Sequence, residues 1–309
     1  MIQKVLGVVP GGEQLHYLLQ RRAGGLKDFD RELRLKVVDW ELMVGHLAAL
    51  GIDVVGTRFF EMGSGWFPTL PLPLCLYLGG AASVDTVDLN PHMKPDLTSR
   101  CATALAGSLA TIAKATGRDE GELREMQRAT ARALERGASI GEATNGVIRY
   151  RAPADAAATD QPDSSLDVVF SNSVLEHIPA PVIDRCFAES SRILRPGGVF
   201  FHSANCGDHY AYVDRRLTQL HYLAYSDAAW KKWDNAFLYQ NRLRATDFTR
   251  MARTAGFTIE VDTSRPHPKH IAALARIDVH PQFSRYSRDE LAITSIDFIG
   301  RKPHASAPT

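Results

Sequence analysis

Residues 59–66 read Phe59-Phe60-Glu61-Met62-Gly63-Ser64-Gly65-Trp66. A short apolar run that closes on an acidic residue and a Gly-x-Gly turn predicts a strand. At its carboxyl end a ligand can approach bare backbone, because glycine carries no Cβ. Twenty-five residues past Gly63, Asp88 closes a second run of the same form, Val84-Asp85-Thr86-Val87-Asp88-Leu89. In a doubly wound sheet a carboxylate at that place accepts hydrogen bonds from ribose hydroxyls. Together the two stretches predict an α/β fold and an adenosine-type ligand.

Outward from this pair, the runs 57–62, 83–89, 146–151, 166–171, 198–203, 257–262 and 291–299 are rich in Val, Ile and Phe and alternate with helical patterns. Seven strands alternating with helices predict a doubly wound, seven-stranded, mostly parallel sheet with helices on both faces. Before it lies an N-terminal helical segment, 1–51. There Phe29, Leu33, Val37, Trp40, Val44 and Leu47 stripe one helix face, and Gly51 is placed to end the helix. The remainder, 52–303, is read as one domain with two insertions and a flexible tail, 304–309. The insertion 91–145 reads as two helices, one striped by Leu105, Leu109 and Ile112. The other is capped by Asp119 with Glu122 and closed by Gly137. It is expected either to close as a lid or to pair with a second subunit as a homodimer. The insertion 206–245 is crowded with aromatic residues.

Composition narrows the classes. Hydrophobic residues make up 45% and charged residues 23% of 309, the profile of an ordinary globular chain. Lys and Arg number 36 against 35 Asp and Glu, a net +1 without the basic excess of a nucleic-acid binder. Cys75, Cys101, Cys186 and Cys206 are scattered, as in a reduced, cytoplasmic protein, and no signal peptide is evident. The apolar stretch 66–84 approaches membrane-spanning length. Its prolines and the Gly79-Gly80 pair instead predict a buried helix beside a ligand site.

A nucleotide fingerprint would place a third glycine where Pro68 stands, and Glu61 would repel a pyrophosphate. S-adenosylmethionine carries a sulfonium and an ammonium and no phosphate, so Glu61 suits it. From here the chain resembles the seven-stranded, class I S-adenosylmethionine-dependent methyltransferases. The matching residues are Glu61-Met62-Gly63-Ser64-Gly65, Asp88, Ala154-Asp155-Ala156 and Leu166-Asp167-Val168-Val169-Phe170-Ser171-Asn172. They continue with Ser173-Val174-Leu175-Glu176-His177-Ile178 and Ile193-Leu194-Arg195-Pro196-Gly197-Gly198. Departures are Phe67 in place of the motif's third glycine and the long insertion after Asp88. The resemblance implies that Glu61, Gly63, Ser64 and Gly65 hold the amino-acid portion and that Asp88, with Leu89 beside it, holds the ribose. It implies that Asp155 accepts from the adenine amino group with Ala156 against the ring, and that Ser171 and Asn172 line the methionine end.

An oxygen nucleophile must lose a proton as it is methylated, so a base is sought. His209 is the leading candidate, with Asp208 next and His177 third; His202, inside a strand, is read as a core histidine. No His, Asp and Glu set has metal-ligand spacing, so metal-independent chemistry is expected. In 206–245, Trp230, Trp233 and Phe237 either form a small core or wall a pocket. Tyr210, Tyr222 and Trp230 are the candidate contacts for a sugar or aromatic acceptor. The segment Gln240-Asn241-Arg242-Leu243-Arg244 is read as support for that wall. The function expected is methyl transfer from S-adenosylmethionine to a small-molecule or glycan acceptor at oxygen. A nicotinamide-dependent oxidoreductase or epimerase, and a non-catalytic S-adenosylmethionine-binding protein, are the alternatives.

Overall fold

The computed structural model describes residues 28–65, 68–233 and 239–304. Expectations on residues before 28, on Trp66 and Phe67, on Phe237 and on the tail from 305 lie outside them. The seven strands are β1 (Arg58–Met62), β2 (Ser83–Val87), β3 (Ile148–Arg151), β4 (Leu166–Asn172), β5 (Leu194–Asn205), β6 (Thr258–Asp262) and β7 (Ser295–Arg301). They form one sheet in the order β3-β2-β1-β4-β5-β7-β6. β1 runs parallel to β2 and β4, β2 parallel to β3, and β6 antiparallel to β7. Strand order turns back between β1 and β4, the kind of switch point at which open α/β sheets bind ligands. Register there sets Glu61 beside Thr86 of β2 and Phe170 of β4.

The chain forms two compact units, and their boundary is not at residue 51. Among the described residues, the first comprises 28–172 and 192–200 and the second 173–191 and 201–304. In the first, helix α1 (Phe29–Ala49) starts where the Asp28 side chain accepts the Arg31 N–H at 3.0 Å. It ends as the N–H groups of Gly51 and Ile52 return to the carbonyls of Ala48 and Leu47, with Gly51 at φ 74°. Its apolar stripe is buried, and the helix belongs to the unit that carries β1–β4.

Every residue of helix α2 (Pro71–Leu78) is buried, which fits the expected buried helix. Among the described residues no helix is long and apolar enough to cross a membrane. The insertion after β2 holds α3 (Pro95–Ala104), α4 (Leu109–Thr116) and α5 (Glu120–Glu135), so its first predicted helix is two. Asp119 caps α5 by accepting the Glu122 N–H at 3.0 Å. α3 and α4 pack against α1, and α3 and α5 against α2. Leu105, Leu109 and Ile112 are buried in this packing, which leaves their stripe no role on an open face.

The second unit carries α6 (Ala180–Ile193), α7 (Ala245–Thr254) and α8 (Pro268–Leu274) among shorter turns. The aromatic-rich stretch becomes core: Leu220, Tyr222, Leu223 and Trp230 pack with Leu274, Phe283 and Leu291. Arg244 is fully buried and fastens the unit. Its guanidinium donates to the carbonyls of Cys206 (2.7 Å), Leu291 (3.1 Å) and Ile293 and to the Tyr222 hydroxyl. β7 begins at Ser295, later than the apolar run 291–299 predicts. A helical turn, Arg288–Ala292, takes the start of that run and is opened by a capping box between Ser287 and Glu290.

Candidate active site

The first unit gathers acidic groups at the carboxyl ends of β1 and β2. Glu61 is 3% exposed and accepts the Thr86 hydroxyl at 2.6 Å. Burial pushes its pKa up to about 7, against the hydrogen bonds of Thr86 and Ser64, and Asp88 adds to the rise. Asp88 is 5% exposed and is also pushed by burial, to about 6. Its Oδ1 accepts the Gly65 N–H at 3.3 Å. Its Oδ2 is buried without a partner in hydrogen-bond geometry, although the Tyr150 hydroxyl lies near enough to lower the pKa. Gly63 and Gly65 sit at φ 75° and 72°, where a side chain would be strained, so the turn requires glycine.

The remaining cofactor candidates come to the same strand ends. The Asp88 carbonyl accepts the Ala154 N–H at 2.9 Å, which ties the loop carrying Asp155 and Ala156 to the end of β2. Asp155 is exposed and accepts the Ala157 N–H at 2.8 Å. Leu89 follows β2 with its side chain 70% exposed, an apolar group open to a ligand. Ser171 is fully buried near the end of β4, and the Oδ1 of Asn172 accepts from the Lys36 ammonium. Two buried carboxylates with raised pKa values, one with an oxygen awaiting a donor, fit a cationic ligand that bears hydroxyl groups. S-adenosylmethionine is such a ligand.

The second unit assembles a different chemistry. Glu176, His177 and His209 bring one ligand-type atom each within 4.8 Å of one another. His177 Nδ1 lies 2.8 Å from the Tyr239 carbonyl, so that nitrogen carries the proton and Nε2 keeps the lone pair. His209 Nε2 is buried with no hydrogen-bond partner, and the two rings lie 5.1 Å apart. Burial lowers the pKa of both, that of His209 to about 4 with help from His177. The segment 239–241 holds the group together. Gln240 accepts the His209 N–H at 3.1 Å, and Asn241 donates to the carbonyls of Leu175 (2.7 Å) and Ile178 (2.8 Å).

Other candidates take supporting places. Asp208 is fully buried and is not aimed at His209; its Oδ2 is 2.9 Å from His221 Nδ1, and its Oδ1 accepts the Tyr210 N–H. The Tyr225 hydroxyl is 3.1 Å from His221 Nε2. Asp208 therefore positions His221, which corrects its reading as a free base. His202 is fully buried, its pKa pushed down to about 3 by burial, as a core histidine requires. Tyr222 is fully buried with its hydroxyl on the Cys206 carbonyl, so it cannot contact an acceptor, which corrects that reading too. Tyr210 packs edge-on against Trp230 and Trp233. Trp230 faces a groove of about 450 Å³ shared with Tyr239, Gln240, Asn241, Arg242 and Tyr286.

Sequence reasoning missed Lys36, Thr86, Tyr150, Glu176 and His221. Lys36 gave a signal: it stands three residues after Leu33 and four before Trp40, on the apolar stripe of α1. Glu176 stood inside the Leu175-Glu176-His177 motif without a role. His221 had no local pattern to mark it.

Residues 120–202 match the Methyltransferase domain family, a span that includes Asp155, Ser171, Asn172 and Glu176. A probable S-adenosylmethionine-dependent methyltransferase of Mycolicibacterium smegmatis is 33% identical over 150 residues, 46% of this chain and 49% of that protein. The chain thus spans about half the length of that curated relative. Geranyl diphosphate methyltransferase in complex with S-adenosylmethionine superposes with TM-score 0.50 at 14% identity, over 93% of this chain and 94% of that one. Its complex with geranyl diphosphate and sinefungin gives TM-score 0.50 and 14% identity over 87% and 78%. At 14% identity these likenesses speak for the fold alone. With the motifs in order at the strand ends and the domain match over 120–202, the chain is similar to the class I, seven-stranded S-adenosylmethionine-dependent methyltransferases, over part of its length in sequence and in the order of its sheet.

Proposed function

We propose that the protein methylates a hydroxyl oxygen of a small polar acceptor, a sugar or a hydroxylated ring, with S-adenosylmethionine as donor. The observation that carries the donor is the pair of buried acids, Glu61 and Asp88, at adjacent strand ends. Bound S-adenosylmethionine supplies an electrophilic methyl group on a sulfonium. Ionised Glu61 faces its positive charge, Asp88 accepts from the ribose hydroxyls, Asp155 takes the adenine amino group, and Ser171 and Asn172 line the methionine end. Lys36, already on Asn172, pairs with the carboxylate of the amino-acid portion.

The groove beside Trp230, with aromatic faces and the side chains of Gln240, Asn241 and Arg242, has the volume and mixed lining that suit a ring bearing hydroxyls. His209 serves as base: its Nε2, unpartnered in the protein, takes the hydroxyl proton as the carbon–oxygen bond forms and the carbon–sulfur bond breaks. The electron pair of the broken bond leaves on sulfur as a neutral thioether, so this step calls on no metal. Most of the catalysis then comes from alignment of acceptor and methyl group. The net charge of +1 favours a small acceptor over a nucleic acid.

Calorimetry tests the donor directly. Micromolar binding of S-adenosylmethionine or S-adenosylhomocysteine with no response to NAD is expected, and the reverse would end the reading. With an acceptor found by screening hydroxylated small molecules, His209→Gln should bind the cofactor normally and lose turnover. Full turnover would remove His209 as base.

A further inference from the structure

We propose that Glu176, His177 and His209 form a binding site for a borderline divalent cation of the zinc class. Two imidazole nitrogens and one carboxylate are a donor set that zinc accepts, whereas magnesium and calcium prefer oxygen throughout. The three candidate atoms lie within 4.8 Å of one another. Tetrahedral ligands at ~2.0–2.2 Å from a common zinc ion lie about 3.3–3.6 Å apart, so side-chain closure by up to about 1.5 Å completes the set.

The surroundings match what such ligands need. A zinc-bound histidine usually donates its second ring N–H to a carbonyl or carboxylate, which fixes the tautomer and turns the lone pair to the metal. His177 does this through Nδ1 to the Tyr239 carbonyl at 2.8 Å. The free nitrogen of His209 is a buried Nε2 without a partner. Glu176 is 1% exposed, so a carboxylate there gains from a cation more than one in water does. Backbone and side-chain bonds from Gln240 and Asn241 hold the two chain segments that supply the ligands. Neighbouring chain crowds both rings, yet each residue keeps surface open to solvent, His177 more than His209, which leaves a side for a fourth ligand.

A cation here would take the lone pair of His209, so its occupation inhibits methyl transfer. That consequence rests on the proposed role of His209 as base; the site itself does not. The decisive measurement is zinc binding by the full chain, titrated in competition with a chromogenic chelator, with cobalt as a spectroscopic substitute. We expect one ion per chain, cobalt absorption typical of nitrogen and oxygen ligands, and affinity at least tenfold weaker in each of His209→Gln, His177→Gln and Glu176→Gln. Absence of saturable binding, or equal affinity in all three variants, overturns the proposal. S-adenosylmethionine binding on the same samples, read by calorimetry, tests the cofactor reading separately. A chain that binds the cofactor and no metal keeps that reading and loses this one.

Discussion

Burial acts on both candidate sites and pushes their titrating groups in opposite directions. At the ends of β1 and β2 it raises Glu61 to about 7 and Asp88 to about 6. In the second unit it lowers His209 to about 4 and His177 as well. Each shift opposes charge, because a buried ion loses its hydration. The acids are therefore costly to ionise until a positive ligand arrives, whereas burial favours the uncharged form of both imidazoles. One region is built to receive charge, the other to receive a proton or a metal.

The two regions also differ in what holds them. The first rests on strand register, and the second on side chains that reach across loops, Gln240 and Asn241 at the histidines and the buried Arg244, whose donors reach three carbonyls and a hydroxyl. Arg244→Met should give the largest effect of any change considered. It leaves the carbonyls of Leu291 and Ile293 without their donor, at a cost of about 3–5 kcal/mol. Chemical denaturation checks this, and a loss below about 1 kcal/mol would mean that water replaces the guanidinium.

That dependence explains what the amino-acid sequence disclosed. Glu61, Gly63, Gly65 and Asp88 lie in two short stretches, and each stretch shows its chemistry locally as a strand end followed by a turn. The second site draws on 176–177, 208–209, 221 and 239–241, which only folding brings together. No spacing rule could collect Glu176, His177 and His209 as a set. Aromatic residues misled for a related reason. Composition marks a cluster without saying which face is buried, so Tyr222 and Trp230 looked alike although both are core and only Trp230 also reaches the groove. The segment 240–244 divides in the same way, its first four residues lining the groove and Arg244 buried.

Glu61→Gln probes the first region with an effect nearly as large. A glutamate raised from 4.5 to about 7 makes the folded state hold its proton more tightly than the unfolded state does. Below pH 4.5 both states are protonated and nothing is lost. Stability falls as pH climbs from 4.5 to 7, and above 7 the full cost, about 3 kcal/mol, is present. The variant should therefore be more stable than the wild-type apo protein at pH 8, by up to about 3 kcal/mol, while binding S-adenosylmethionine less well. Wild-type affinity should rise from pH 6 to pH 8 with proton release on binding, and the variant should keep only the smaller part that Asp88, at about 6, contributes. A flat wild-type profile would detach Glu61 from the cofactor's charge.

Asp88→Ala comes next, at about 1–3 kcal/mol of cofactor affinity, the usual loss when a buried hydrogen-bond acceptor is removed. Unchanged affinity would refute the ribose assignment. Deoxyadenosine analogues separate the cases, since the variant should no longer distinguish them from the parent ligand.

Lys36→Met gives the smallest effect and its sign is the point. The ammonium is on Asn172 and its side chain is 26% exposed, so a pairing with the cofactor's carboxylate is worth only about 1 kcal/mol, or roughly fivefold in affinity. Lys36 also lowers the pKa of Glu61. Its removal should shift the pH dependence of cofactor binding upward at the same time. If the lysine instead acts only as a positive charge near a sulfonium, its removal relieves repulsion and S-adenosylmethionine binds more tightly. S-adenosylhomocysteine lacks the sulfonium and keeps the carboxylate. A pairing role weakens binding of both ligands, whereas repulsion alone tightens the first more than the second.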